Sequence, residues 1–445
     1  MYATLGIDLY NTVFFNVTGR NDWSSTLPKE NSSYFYPSAS ISTLVSNLFT
    51  MPEAVDYLKV KASWAKVSGA LDPYQISSYY DKNGDFDGKT KLNYPNLLVN
   101  PNIKPASKST FEVGLTTSLL SNKLGLDFTY YKELSTNQII ELPVSLASGF
   151  ENRFVNGNEY TRKGYEVVVN VSPIKTDKLS WDMLVNWSTS EKRITSIYDN
   201  KPNFGYLKLN DRVDSHITKT WQKSANNELI INSKGLPVRN SFESNIGHKD
   251  PKWRLGFQNN FKINKFTIGV GIDGAWGGLI RSRTVEKMWW GGKHPNSTEY
   301  RDKEYAAGKA VYVPNGVNVI NGSGTHDVFG NITSDTRVYQ KNTTAVNWQS
   351  WSQTYPYRAA ILDTDNKKFA NVFDRSFFKL RSLSIKYDFT EMFDIKKVKN
   401  ISATLSGYNL LAWKKADIID PDFGNDDNLQ DPSTRYLGLG LTFKF

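Results

Sequence analysis

Hydrophobic and polar side chains alternate with period two in segment after segment of this chain. Phe266, Ile268, Val270 and Ile272 fall on one face, while Thr267, Gly269, Gly271, Asp273 and Ala275 fall on the other. Just before them, Trp253, Leu255, Phe257 and Phe261 alternate with Arg254, Gly256, Gln258 and Asn260, and residues 262–265 join the two runs as a hairpin. The same alternation sets Leu179, Trp181, Met183, Val185 and Trp187 against Ser180, Asp182, Asn186 and Ser188. It sets Leu124, Leu126, Phe128 and Tyr130 against Gly125, Asp127 and Thr129, and Tyr165, Val167, Val169 and Val171 against Glu166 and Asn170. Successive side chains of a strand point to opposite faces, so each run predicts a strand with one apolar and one polar face.

This template predicts about thirteen strands, at 2–9, 13–19, 33–45, 57–68, 109–118, 124–134, 162–172, 179–192, 251–261, 266–275, 376–389, 399–409 and 434–445. The connections between them alternate. Short ones of 3, 11, 5, 6, 4 and 9 residues are interleaved with long ones of 13, 40, 27, 58, 100 and 24. In an up-and-down barrel every second connection lies on the same rim, and outer-membrane barrels have short periplasmic turns and longer external loops. A β-sandwich or propeller has no reason to sort its connections this way. The polar set, which includes Asp8, Glu112, Asp127, Glu166, Asp182, Arg254, Asp273, Lys386 and Asp388, then lines a wet lumen. The fold class is therefore all-β, an antiparallel up-and-down barrel that spans a membrane. At the chain end, Leu437, Leu439, Leu441, Phe443 and Phe445 alternate with Gly438, Gly440, Thr442 and Lys444. A closing amphipathic strand of this kind resembles the C-terminal signal of outer-membrane barrels.

Composition qualifies this picture. Hydrophobic residues make up 39 % of the 445, and the mean hydropathy is −0.48. That balance suits a barrel, whose strands show lipid only every second residue. No run approaches the length of a membrane helix. Aromatics reach 13 %, with 24 Tyr, 24 Phe and 12 Trp, enough for interfacial girdles. No cysteine is present, so disulfides and thiolate metal sites are excluded. The net charge is +10, but the cations are scattered, which reads as a solvated surface and not a nucleic-acid site. The first residues, Met1 to Gly6, carry no signal-peptide pattern, as expected of an unexported protein or an internal piece.

The segments GRNDWSS at 19–25 and YFYPSASIS at 34–42 resemble a signature of SusC/RagA-type TonB-dependent transporters of the Bacteroidota. NPNIKPASKSTFEVGL at 100–115, NGNEYTRKGYEVVVN at 156–170 and DPKW at 250–253 follow in the family's order. So do SFFKLRSLSIKYDF at 376–389, SGYNLLAWKKADIIDPD at 406–422 and the closing YLGLGLTFKF. The resemblance implies a barrel of roughly 22 strands with a plugged lumen, of which residues 1–445 supply the C-terminal portion. The plug, TonB box and signal peptide of such a protein are not in this sequence. It further implies outer-membrane import of an oligosaccharide or peptide, a SusD-like surface lipoprotein as partner, membrane lipid around the barrel, and energy from the TonB complex through the missing N-terminal part. A non-transporting surface adhesin or glycan-binding protein, and a passive porin, are the other readings; an upstream plug and TonB box would separate them.

No catalytic constellation or cofactor motif is visible, so an enzyme is not expected. The four histidines, His216, His248, His294 and His326, fall in long connections without metal-pair spacing. Asp81, Asn83, Asp85 and Asp87, followed by Gly88, place oxygens at alternate positions as a calcium loop does. The closing Glu is missing, since Tyr94 stands at position 12 of the register from Asn83, and a flexible acidic loop is the better expectation. The connection 276–375 carries Trp276, Trp289, Trp290, Trp348, Trp351, Tyr355 and Tyr357, whose flat faces suit sugar rings or a protein partner. With Asp420 and Asp422 of 410–433, these are the candidate ligand- or partner-binding residues.

Overall fold

The computed structural model describes residues 1–327, 330–393, 398–423, 426–427 and 429–445. Thirteen antiparallel strands lie side by side in chain order within one sheet. They are β1 (Tyr2–Leu9), β2 (Val13–Trp23), β3 (Ser33–Leu44), β4 (Val55–Gly69), β5 (Ala106–Leu119), β6 (Leu124–Thr136), β7 (Glu159–Lys175), β8 (Leu179–Ser196), β9 (Trp253–Ile263), β10 (Phe266–Trp276), β11 (Phe377–Asp388), β12 (Asn400–Lys414) and β13 (Tyr436–Lys444). Every strand expected from the alternation is present. Several run further toward the long connections than expected, notably β8 and β12, because pairing continues after the apolar pattern has ended.

The chain divides into two compact units. One comprises residues 1–173 and 182–213, the other 174–181 and 214–445. In the first unit the register lines up like with like. Val60 pairs with Leu115, Leu115 with Phe128 and Phe128 with Val167, one apolar row across four strands. One residue away the row is polar, with Lys61 opposite Gly114, Gly114 opposite Thr129 and Thr129 opposite Glu166. Asp127 on this face accepts a 2.6 Å hydrogen bond from the Thr116 hydroxyl and lies 3.6 Å from the Lys61 ammonium. Many apolar-face side chains are exposed, Trp64, Phe111 and Tyr165 among them, as lipid-facing residues are. Leu27, Ile103 and Phe154 form a small separate core among the connections of this unit.

In the second unit Phe257 pairs with Ile272 and Phe261 with Ile268; Ile268 in turn pairs with Ile385, and Ile385 with Leu405, which faces Leu439 of β13. A bulge at Arg381 interrupts the ladders of β11 with both β10 and β12. Asn264 takes a left-handed φ of 52° in the tight β9–β10 turn, a conformation Asn tolerates. The main core of this unit lies outside the sheet, within the connections 193–250, 276–375 and 410–433.

Candidate functional site

The 276–375 connection is a folded body. Leu279–Ser282 pairs antiparallel with Val372–Asp374 and parallel with the two-residue strand that begins at residue 426, which ties the start and end of the connection together. Helix α1 (Arg283–Trp290) follows, and the hydroxyl of Ser282 caps it by accepting the Val285 amide at 3.0 Å. The same hydroxyl donates to Asp427 at 2.7 Å. Helix α2 (Arg301–Ala307) stops at Gly308, whose φ of 63° is left-handed. Helix α3 (Trp348–Ser352) is capped by Asn347, which accepts the Ser350 amide at 3.1 Å. Glu304 of α2 reaches back to accept the amide of Trp348 at 2.9 Å.

These helices enclose aromatic rings. Trp289 is 0 % exposed, Trp348 and Trp351 2 %, and Tyr355 7 %. Trp289 stacks on His294 at 4.3 Å and Trp351 on Tyr355 at 4.7 Å, while Tyr312 meets Trp348 edge-on at 4.8 Å. The Trp348 indole donates to the Ser297 carbonyl at 2.7 Å. This burial corrects the expectation that Trp289, Trp348, Trp351 and Tyr355 offer open faces to a ligand, for their faces are spent on one another. Trp276 needs a different correction. It is the last residue of β10 and stacks at 6.0 Å on both Trp253 and Trp413, an aromatic row at the strand ends. Of the seven rings, Trp290 is exposed, and Tyr357, like Trp276, is half-buried. Trp290 is 50 % exposed, its ring lies 6.4 Å from that of Tyr357, and the Lys287 ammonium sits within cation–π range of both.

Asp420 and Asp422 belong to an ion cluster on the polar face. Lys379 of β11 is buried and donates to Asp420 at 2.6 and 2.7 Å, to Asp422 at 3.2 Å and to Ser433 at 3.0 Å. Arg381, at the bulge, holds both Asp273 and Asp422. Burial alone pushes the Asp420 carboxyl up, but the hydrogen bonds from Lys379 and Ser433 outweigh it and hold the group at about 2. The two aspartates thus fasten residues 420–422 to the sheet. Sequence reasoning found them but not their cationic partners, Lys379 and Arg381, which lie about forty positions away along the chain.

Asp81, Asn83 and Asp85 lie on the first arm of an exposed hairpin, Asp81–Phe86 with Lys89–Asn93, and Asp87-Gly88 forms its turn with φ of 49° and 70°. Asp85 lies 3.5 Å from Lys82. Among the described residues no three His, Asp or Glu side chains gather as metal ligands do. The expected flexible loop is therefore a paired hairpin, in which alternation spreads the oxygens along a strand.

Two cavities flank the aromatic core. One of about 410 Å³ is lined by Trp221, Lys223, Tyr312, Trp351, Tyr355 and Phe369, among others. The other, of about 600 Å³, opens beside Trp290, Arg301, Glu304, Gln349, Ser352 and Gln353. Sequence reasoning named none of Trp221, Arg301 and Glu304. Burial pushes the imidazoles of His294 and His216 down to about 4, with the charges of Lys249 and Arg281 adding to the effect at His216.

Thirteen neighbouring antiparallel strands, one apolar exposed face and sorted connections define a sheet of the up-and-down β-barrel class. Comparison narrows the type. The chain is 20 % identical to TonB-dependent receptor P3 of Formosa agariphila, a match covering 100 % of this chain and 45 % of the receptor. It is 22 % identical to TonB-dependent receptor P26 of the same organism, over 96 % of this chain and 44 % of the receptor. TonB-dependent receptor SusC of Bacteroides thetaiotaomicron matches 56 % of the chain at 22 % identity. Among solved structures, the RagAB peptide transporter superposes with a TM-score of 0.71 at 15 % identity, over 100 % of this chain and 47 % of that one. No family model matches the chain. The chain spans a little under half the length of the first two receptors. By sequence the chain is similar to TonB-dependent receptors, and its fold is similar to that of the RagAB peptide transporter.

Proposed function

We propose that this chain is the C-terminal barrel portion of an outer-membrane importer that takes up an oligosaccharide or a peptide. In this reading a plug and TonB box elsewhere in the receptor couple it to TonB, and a SusD-like surface lipoprotein covers its external mouth. The observation that carries the reading is the folded body at 276–375. Connections longer than ~12–15 residues usually serve a function or are disordered. This one holds capped helices and a buried aromatic core, which fits a surface shaped for contact. The similar structure named as a peptide transporter lends the peptide to the proposal, and the resemblance of the sequence motifs to the SusC/RagA type lends the oligosaccharide and the lipoprotein partner.

Trp290 and Tyr357 are the proposed contact residues, because Trp290 is exposed and Tyr357 beside it is half-buried, while their neighbours are packed. Changing both to Ala in the full-length receptor should leave folding intact and weaken cargo uptake or lipoprotein retention, at ~1 kcal/mol or more for a hot-spot aromatic. The measurement is uptake of labelled oligosaccharide and peptide pools by cells, with co-purification of the lipoprotein. If deletion of the receptor changes uptake of neither pool, the import reading fails. If only the double variant behaves as wild type, the reading stands and these two rings lose their role.

A further inference from the structure

The apolar face of the first unit ends, on the side of its long connections, in a cluster of cations. Lys132 of β6 and Lys163 of β7 are direct cross-strand partners. They lie on the apolar face, because each is two residues from a tyrosine of the cross-strand pair Tyr130 and Tyr165, whose rings are 5.2 Å apart. Phe111 is the other neighbour of Lys132 across the ladder. Arg193 of β8 completes the cluster. These three cations line a recess of about 320 Å³ together with Thr161, Thr195, Asn210 and Glu191.

Like charges placed directly opposite one another in a sheet are destabilising. Among the described residues neither lysine has a carboxylate within salt-bridge distance. The one carboxylate of the recess, Glu191, is already engaged by Arg193 and lies 3.7 Å from Arg212. Arg193 also donates to the Asn210 carbonyl at 2.7 Å, which fixes its guanidinium at the rim of the recess. The recess therefore holds three cations against one carboxylate, an excess of positive charge, with the hydroxyls of Thr161 and Thr195 3.4 Å apart at its edge. All three cationic side chains are exposed.

Depth identifies the occupant. Tyr130 and Tyr165 form an aromatic row near the border of the apolar face, where interfacial rings sit at headgroup level, and Phe111 stands beyond it, beside Lys132. A strand rises ~3.3 Å per residue, so the lysines stand ~7 Å beyond that row, where long cationic side chains reach headgroups. The face continues the rows that meet lipid and is not the face of the wet lumen. We propose that Lys132, Lys163 and Arg193 form a binding site for the phosphate group of an outer-leaflet lipid. The anion supplies the charge the cross-strand lysine pair lacks, and Arg193, held by Glu191 and the Asn210 carbonyl, adds a cation at the rim.

The test uses the full-length receptor, purified in a neutral detergent, with three probes: diphosphorylated lipid A, the same lipid with both phosphates removed, and inorganic phosphate. Binding is read by native mass spectrometry across a titration, and folding by heat-modifiable gel mobility. The wild type should retain diphosphorylated lipid A. The double variant K132Q/K163Q should weaken it by about tenfold or more, and K132R/K163R should keep it. The lipid without phosphates should bind at the level of the double Gln variant. Equal retention of the two lipids by the wild type overturns the proposal, as does wild-type affinity in folded K132Q/K163Q. Displacement of the lipid by inorganic phosphate at similar concentration would point to a soluble anion and overturn the lipid assignment. Should K132Q/K163Q not fold, the comparison of the two lipids on wild type and on K132R/K163R still decides.

Discussion

Asn259 stands on the apolar face of β9, opposite Val270, in a position the alternation reserves for a hydrophobe. Its carbonyl oxygen accepts the indole N–H of Trp181 at 3.0 Å, and the Trp181 ring stacks on Phe261 at 5.5 Å. Away from water an unpaired amide is expensive, so the two polar groups answer each other. Trp181→Phe should keep the stacking and lose the bond, costing ~1–2 kcal/mol in reversible unfolding from detergent or bilayer; a change below a few tenths would mean Asn259 has another partner. The buried histidines give a second residue-scale expectation. In the fold His216 and His294 titrate at about 4, below the ordinary 6.5, so the unfolded chain binds more protons between those values. Their contribution is complete above pH 6.5 and is lost as pH falls toward 4. Melting of the tryptophan-rich connection, followed by fluorescence, should therefore occur at lower temperature at pH 5 than at pH 7.5, and His294→Gln should reduce the difference. Asp420 acts in a lower window, full above 3.8 and lost toward 2. None of these pairings was legible in the sequence, because the members of each pair are separated by loops whose paths no local pattern records.

At the scale of elements the strands were legible and the loop helices were not. A strand in lipid must repeat its apolar residues every second position over most of its length, and that repeat survives in β6, β7, β9, β10 and β13 without help from tertiary contacts. Helix α3, Trp348–Ser352, is a single capped turn, too short for a 3.6-residue period to declare itself. Its stability comes from the Asn347 cap, the Glu304 contact and the packing of Trp348 and Trp351. Trp351→Ala should thus destabilise the 276–375 body by ~3–5 kcal/mol, as loss of a buried aromatic does. Limited proteolysis would show faster cleavage within 276–375 while the barrel strands stay protected; unchanged cleavage would deny the ring its place in the core. The two faces of a strand also differ in tolerance. Val270→Arg should cost ~2–4 kcal/mol near the midplane, whereas Gln258→Arg on the polar face should be accepted with little effect on insertion. Similar effects at the two positions would mean the faces are assigned wrongly.

For the whole molecule, strand order and sorted connections carry the account. The thirteen strands follow one another in sequence, so consecutive connections must leave the sheet at opposite ends. The alternation of short and long connections then sets all the long ones on one side, which the sequence showed without any structure. The compactness of those long connections was not visible, because their core is assembled from 193–250, 276–375 and 410–433 together. Sidedness tests the central claim most directly. The chain has no cysteine, so a single introduced thiol reports its own position. In the full-length receptor on intact cells, Lys234→Cys in the 193–250 connection should react with a membrane-impermeant maleimide, and Asp177→Cys in the 173–178 turn should react only after the outer membrane is opened. Labelling of Asp177→Cys on intact cells, or protection of a folded Lys234→Cys, would contradict the barrel topology.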